Sequence, residues 1–161
     1  MSTPAEILAW VQLQKERREK IAKLASEGNL RIFLDDCRQE FDGWVLCRTA
    51  SDVIRILMEH NGNVQEISLD HDLGDSCQGE IGTHVVNFIE EWVFEDKMIN
   101  PPVIHVHSAN PDGRKNMIAG VQSIQRFLDE KGIDKDILGN WFDPDPFGNN
   151  HTVIEKIRRR K

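Results

Sequence analysis

The stretch Val64–Gly74, reading V-Q-E-I-S-L-D-H-D-L-G, constrains this chain more than any other. Val64, Ile67 and Leu69 form a short apolar run bounded by Asn61-Gly62-Asn63 before it and Gly74 after it, the pattern of a buried strand. The run stops in charge, because Asp70, His71 and Asp72 follow at once. Two carboxylates flanking an imidazole are costly to assemble unless a cation or a proton-transfer role compensates their repulsion. Asp and Gly are also turn residues, so in isolation the same letters describe a loop. Two further strands that end the same way favour the chemical reading: Leu30–Leu34 runs into Asp35-Asp36, and Val103–His107 runs into Ser108.

Between these runs the apolar period changes from two to about 3.6. Trp44–Arg48 reads as a second strand, and Ser51 as the cap of a helix carrying Val53, Ile54, Leu57 and Met58. A longer helix is predicted over 81–97, with Val85, Phe88, Ile89 and Trp92 on one side, and Pro101-Pro102 leads out of it. Asn110 is placed as the N-cap of a further helix, with Pro111 at its first position, running towards Leu128. Strands alternating with helices predict an α/β fold, an open doubly wound parallel sheet. Ahead of it, Thr3-Pro4-Ala5-Glu6 has the form of a capping box and Gly28-Asn29 that of a helix stop. Residues 1–29 are therefore read as an N-terminal accessory helix and 30–161 as the α/β domain. Because Lys15–Lys20 is almost wholly charged, this helix is expected to project from or lie along the domain, and it is a candidate surface for a homodimer. Near the end, Asn140–Asn150, with Pro144, Pro146 and Gly148, reads as an ordered loop or lid, and His151–Ile157 as an edge strand.

Composition narrows the class. With 161 residues, 39% of them hydrophobic, one domain can bury a real core. No apolar run approaches the roughly 18 residues of a membrane span, and Met1–Val11 lacks a basic region followed by an apolar core, so a cytoplasmic protein is expected. Cys37, Cys47 and Cys77 are odd in number and lack paired zinc-site spacing, which predicts reduced structural thiols. The net charge of -7 is uneven: residues 30–150 hold 22 acidic and 10 basic side chains, whereas 151–161 holds Glu155 against Lys156, Arg158, Arg159, Arg160 and Lys161. This basic tail is read as a solvated end, capable of weak contact with nucleic-acid phosphates.

In an open parallel sheet, ligands bind beyond the carboxyl ends of the strands. Asp35, Asp36, Asp70, His71, Asp72, His107 and Ser108 should therefore face one crevice. Asp35, Asp36, Asp70 and Asp72 are the candidate ligands of a hard cation, Mg²⁺ or Mn²⁺, which would bridge to phosphate oxygens. Arg38, Arg48 and Arg114 reach the same mouth, and the helix start at Asn110 offers free N–H groups and a positive dipole end. Arg48 suits an ion pair with Asp35 or Asp72 equally well. His105 is assigned to the core or the helix-facing side, away from His107, and Trp44 and Trp92 to the core.

These residues carry a resemblance. The acidic pair after the first strand, an aspartate ending the third and Ser108-Ala109 ending the fourth are similar to the receiver domain of two-component signalling. That similarity implies that Asp35 and Asp36 hold a metal, that Asp70 is a phosphoryl acceptor or a further ligand, and that Ser108 contacts phosphate. Four longer motifs narrow it: L-D-D-x-R at Leu34–Arg38, G-W-x-x-x-R-T at Gly43–Thr49, I-S-L-D-H-D-L-G at Ile67–Gly74 and V-H-S-A-N-P-x-G-R at Val106–Arg114. Their order over roughly Leu30–Leu128 resembles the receiver-like domains of bacteria and their phages proposed to process cyclic phosphates.

The resemblance implies a phosphoesterase acting on a cyclic phosphate, either a 2′,3′-cyclic RNA end or a cyclic nucleotide. Opening such a ring needs charge neutralisation on the non-bridging oxygens, an activated water and a proton for the departing alkoxide. His71, His107, Asp70 and Ser108 are the expected catalytic residues, and Arg38, Arg48, Ser108, Asn110 and Arg114 the expected phosphate contacts. Two alternatives use the same residues: a non-catalytic module that sequesters a cyclic nucleotide, and a phosphoryl-accepting receiver.

Overall fold

Capping fixes the first element. In the computed structural model, which describes residues 1–36, 42–74, 79–143 and 153–160, α1 spans Pro4–Ser26. Thr3 and Glu6 satisfy each other's backbone N–H groups, at 3.2 and 2.8 Å, as the capping box requires. At the other end Gly28, with φ +73°, donates to Ala25 and Asn29 donates to Leu24, the paired bonds of a Schellman stop. The helix does not project through its charged middle. Arg17 reaches the Leu46 carbonyl at 3.0 Å and Asp52 at 2.7 Å, and Ile21 and Ala25 are buried beyond it. The apolar first half, with Ile7, Leu8, Trp10, Val11 and Leu13, is the exposed part.

After α1 the order is β1 (Leu30–Leu34), β2 (Val45–Cys47), α2 (Ala50–Glu59), β3 (Val64–Leu69), α3 (Gly82–Phe94), β4 (Val103–His107), α4 (Pro111–Glu130), β5 (Leu138–Asp143) and β6 (Val153–Lys156). The sheet order is β2-β1-β3-β4-β5-β6, parallel except for β6, which pairs antiparallel at the edge. The first five strands have the receiver order. The cap of α2 is Thr49, whose hydroxyl accepts from Asp52 N at 3.1 Å; Ser51 instead hydrogen-bonds Glu80. Both hydroxyl residues are competent caps, and the one in extended conformation takes the role. The predicted lid begins as strand β5, and its remainder, 144–150, lies outside the described residues. No described helix is long and apolar enough to cross a membrane.

The crossovers β2→β3, β3→β4 and β4→β5 all step in the same direction across the sheet, so right-handed connection places α2, α3 and α4 on one face. Leu30, Ile32, Leu34, Ile67, Leu69, Ile104 and Val106 are fully buried beneath them, against Val53, Ile56, Val85, Ile89, Met117, Val121 and Ile124. Alternation then directs Phe33, Ser68, His105 and His107 to the opposite face. His105 and His107 therefore share a face, contrary to the expectation that they part, because residues two apart on a strand point the same way.

The tail is docked. Ile157 is buried, Arg159 pairs with Asp129 at 2.5 Å, and the Arg158 carbonyl accepts from Gln122. Cys47 is a buried free thiol, and burial pushes its pKa well up, so it stays protonated and inert. Cys37 and Cys77 lie outside the described residues.

Candidate functional site

Two aspartates are set by ladder bonds that continue one residue past their strands. Asp35 N donates to the Cys47 carbonyl at 3.1 Å and Asp70 N to the Leu34 carbonyl at 3.0 Å. Both residues follow the parity of Phe33 and Ser68, so their side chains leave the sheet on the face opposite α2–α4. There they meet His107. Ligating atoms of Asp35, Asp70 and His107 lie within 4.8 Å of one another.

His107 is the most constrained group of the three, at 1% exposure. Its Nε2 lies 3.1 Å from Asp35 Oδ2 and its Nδ1 2.7 Å from Ser68 Oγ. The ring is stacked between Phe33 (centroids 4.1 Å, 15° apart) and Phe142 (5.5 Å, 16°). With the Asp35 carboxylate accepting, Nε2 carries the proton and Nδ1 accepts from the serine hydroxyl. A hydroxyl also accepts, so Ser68 equally suits the tautomer whose Nε2 lone pair is free for a cation.

Asp70 is only partly buried, yet its carboxyl is pushed up to about 7. Burial is the first cause, the Asp35 charge the second, and Asp36 and Asp72 add to it against the His71 backbone N–H. A carboxyl that resists ionisation beside another carboxylate is the electrostatic sign of a place that a cation would relieve. Two carboxylates and an imidazole fit a divalent ion; the nitrogen suits Mn²⁺ better than Mg²⁺, which prefers oxygen ligands. Of the four aspartates expected as ligands, Asp35 and Asp70 are in this cluster. Asp36 and Asp72 are not: the Asp36 carboxylate lies against Gly74, and Asp72 points to the start of α4.

That second group is more open. His71 Nδ1 donates to Asp72 Oδ1 at 2.7 Å, leaving Nε2 as the basic nitrogen, and Asn110 Nδ2 lies 3.4 Å from both Asp72 oxygens. Asn110 also caps α4, accepting from Gly113 N at 3.0 Å. The His71 ring rests directly on Gly113, where a Cβ would come within 2.2 Å of its Cγ. Behind it, Gly82 donates to the His71 carbonyl at 3.0 Å, and a Cβ at Gly82 would collide with the Asp70 carbonyl at 1.9 Å. Two glycines thus hold the 70–72 segment between α3 and α4.

The expected phosphate contacts separate into different environments. Arg48 Nη1 donates to the Asp35 backbone carbonyl at 3.2 Å. Arg114 donates to the Ser108 carbonyl at 3.0 Å and lies over the Trp141 ring at 4.9 Å. Ser108 is fully buried and its hydroxyl accepts from Asn110 N at 3.2 Å, so it shapes the β4–α4 turn. Arg38 lies outside the described residues. Sequence reasoning missed Ser68, Phe33 and Phe142. Strict alternation back from Asp70 and Asp35 singles out the first two; Phe142 belongs to a strand whose Gly- and Asn-containing sequence has the pattern of a loop.

Comparison with known proteins agrees with this arrangement. A family model described as the cyclic-phosphate processing receiver domain matches residues 30–123, from the start of β1 to the middle of α4. The matched segment contains Asp35, Asp70, His71, His107 and Arg114. No curated protein and no solved structure matches the chain. A match over more than half of the chain, on the strands that carry the acidic cluster, means that the chain belongs to the cyclic-phosphate processing receiver domain family.

Proposed function

We propose that this protein hydrolyses a cyclic phosphodiester, a 2′,3′-cyclic RNA end or a cyclic nucleotide, to a phosphomonoester. The observation that carries the reading is the convergence of Asp35, Asp70 and His107 within 4.8 Å at the carboxyl ends of three adjacent strands. These residues would hold the divalent ion. When bound, that ion supplies charge neutralisation for the non-bridging phosphate oxygens.

The protein's own residues supply the rest. His107 is too deeply buried to exchange protons with substrate, so its role is to bind and orient. His71 is the proton-transfer residue of this reading: Asp72 fixes its tautomer and Gly113 its ring plane, leaving Nε2 to activate water or serve the departing alkoxide. The α4 start and Arg114, held by Trp141 and the Ser108 carbonyl, favour the anion, and Arg48 does so from the Asp35 side. In the same reading the exposed apolar half of α1 pairs with a second copy of the chain.

The test is incubation of purified protein with 2′,3′-cyclic nucleotides, 3′,5′-cyclic nucleotides and an RNA bearing a cyclic end, with mass analysis of products. Conversion to a monoester that stops on EDTA addition is expected. Persistent binding of unopened substrate across the panel would move the assignment to a sequestering module.

A further inference from the structure

The sheet face opposite α2–α4 carries a cavity of about 310 Å³ to which the proposed chemistry gives no role, and among the described residues no helix residue lines it. Its floor is the sheet. Phe33, Trp44 and Phe142 supply aromatic surface, with Phe33 and Trp44 edge to face at 6.0 Å. Glu66, Ser68 and Asn140 bring polar groups into the same space. Glu66 is held by Arg31 at 2.8 Å and by His105 at 3.0 Å, and each carboxylate oxygen keeps a second lone pair. His105 Nδ1 accepts from Asn140 N at 2.9 Å, so that histidine is spent on positioning Glu66 and β5. The Asn140 side chain is exposed and makes no hydrogen bond to the described residues.

This mixture selects an occupant. A hydrocarbon would strip water from a carboxylate and a carboxamide without replacing their hydrogen bonds, which disfavours it. A simple cation finds Glu66 already paired with Arg31. A flat heterocycle that stacks on the rings and offers N–H donors at its edge satisfies both kinds of surface.

The cavity also borders the chemical site. Phe33 and Phe142, which line it, are the rings that enclose His107, and Ser68, which also lines it, is the partner of His107 Nδ1. From Ser68 to Asp70, and from Phe33 to Asp35, is two strand residues, about 7 Å. One ribose spans that interval. We propose that this cavity receives the heterocyclic base of a cyclic ribonucleotide whose phosphate lies at Asp35 and Asp70. The proposal rests on the function put forward above.

The experiment has two arms on the full chain. Tryptophan fluorescence is titrated with adenosine, guanosine, cytidine and uridine, which carry no phosphate. Saturable quenching by at least one of them is expected, and its loss in Trp44→Phe assigns the signal among the four tryptophans. In the second arm, opening of a cyclic nucleotide is compared with opening of glycerol cyclic phosphate, which has no base. Trp44→Ala should raise KM for the nucleotide relative to the glycerol compound by about tenfold or more, the scale of one lost base–aromatic stack. Asn140→Ala, at an exposed position, should shift the same ratio in the same direction and guards against a misfolded Trp44 variant. Equal efficiency on both substrates in wild type, or no quenching by any nucleoside, would overturn the base site while leaving phosphoesterase activity standing. If no cyclic phosphate is opened at all, the function has failed, and the nucleoside titration decides the cavity by itself.

Discussion

Along β4, Ile104 and Val106 point into the helix layer and are fully buried, while His105 and His107, at the alternate positions, point to the opposite face and hydrogen-bond Glu66, Ser68 and Asp35. The two sides of the sheet divide the work. The helix-covered side is an apolar core whose residues answer to volume. The opposite side collects carboxylates, imidazoles and aromatic rings, and it leads to the strand ends where Asp35 and Asp70 stand. A period of two keeps the two functions apart within a single strand, so a mutation on one side should affect stability and on the other chemistry.

The largest effect that would sharpen this contrast is at Asp70. Asp70→Asn removes one of three donors and should lower the rate by on the order of 10³-fold, since Lewis-acid stabilisation amounts to several kcal/mol and each ~1.4 kcal/mol is tenfold. In wild type, Mn²⁺ or Mg²⁺ should raise the melting temperature by mass action, and Asp70→Asn should abolish that rise. Asp36→Asn, beside the cluster but not in it, should retain it. A rise in Asp70→Asn equal to wild type would remove Asp70 from the metal set.

On the other side, Ile104→Ala should cost about 2–5 kcal/mol of stability, the usual range for truncation of a buried aliphatic chain. Its rate per folded molecule should stay near wild type. Denaturant melts and active-site titration measure the two quantities separately. Loss of catalysis without loss of stability at this position would break the division between faces.

Much of this division was legible before the fold was known. β1 and β4 coincide with their predicted ranges because β-branched and aliphatic runs there end abruptly in polar residues, and the Asn110 cap with Pro111 fixes the start of α4. Thr49 and Ser51 offered the same chemistry for the α2 cap, and only backbone conformation distinguished them. β5 escaped because Gly139 and Asn140 are poor strand formers; its pairing to β4 and the Asn140 N–His105 bond hold it in place. At the site, Asp35, Asp70 and His107 were recognisable as strand-end residues. Which acids converge was not, because Asp36 and Asp72 sit one residue out of phase with Asp35 and two residues beyond Asp70. Arg17 also escaped notice: its anchor is a backbone carbonyl and an aspartate from a distant segment, which no local pattern encodes.

Acidity gives a smaller and more specific effect. Asp70 titrates near 7 in the native metal-free protein against an ordinary value of 3.8, so between these pH values the native state binds one more proton than the unfolded state. Its contribution to stability is therefore full below about 4 and is lost as pH rises towards 7. Melts of EDTA-treated protein should show this decline, and Asp70→Asn or added Mn²⁺ should flatten it.

The smallest effect concerns α1. Burial alone would raise the Asp52 carboxyl, yet the Arg17 charge, with hydrogen bonds from Arg55 and Arg17, outweighs it and holds the carboxyl below its ordinary range. Arg17→Ala should cost about 1–2 kcal/mol, the scale of a partly buried charged hydrogen bond, and speed amide exchange in α1 while exchange in β3 and β4 stays slow.

The central claim is that water opens a cyclic phosphate at the strand ends, and ring opening in heavy-oxygen water tests it most directly. The account predicts a phosphomonoester carrying one heavy oxygen on phosphorus, formed by wild type, slowed about 10²–10⁴-fold in His71→Ala, and accompanied by an unmodified Asp70. A cyclic phosphate that stays bound and unopened, or a phosphoryl adduct on Asp70 after exposure to a small phosphodonor, would contradict it.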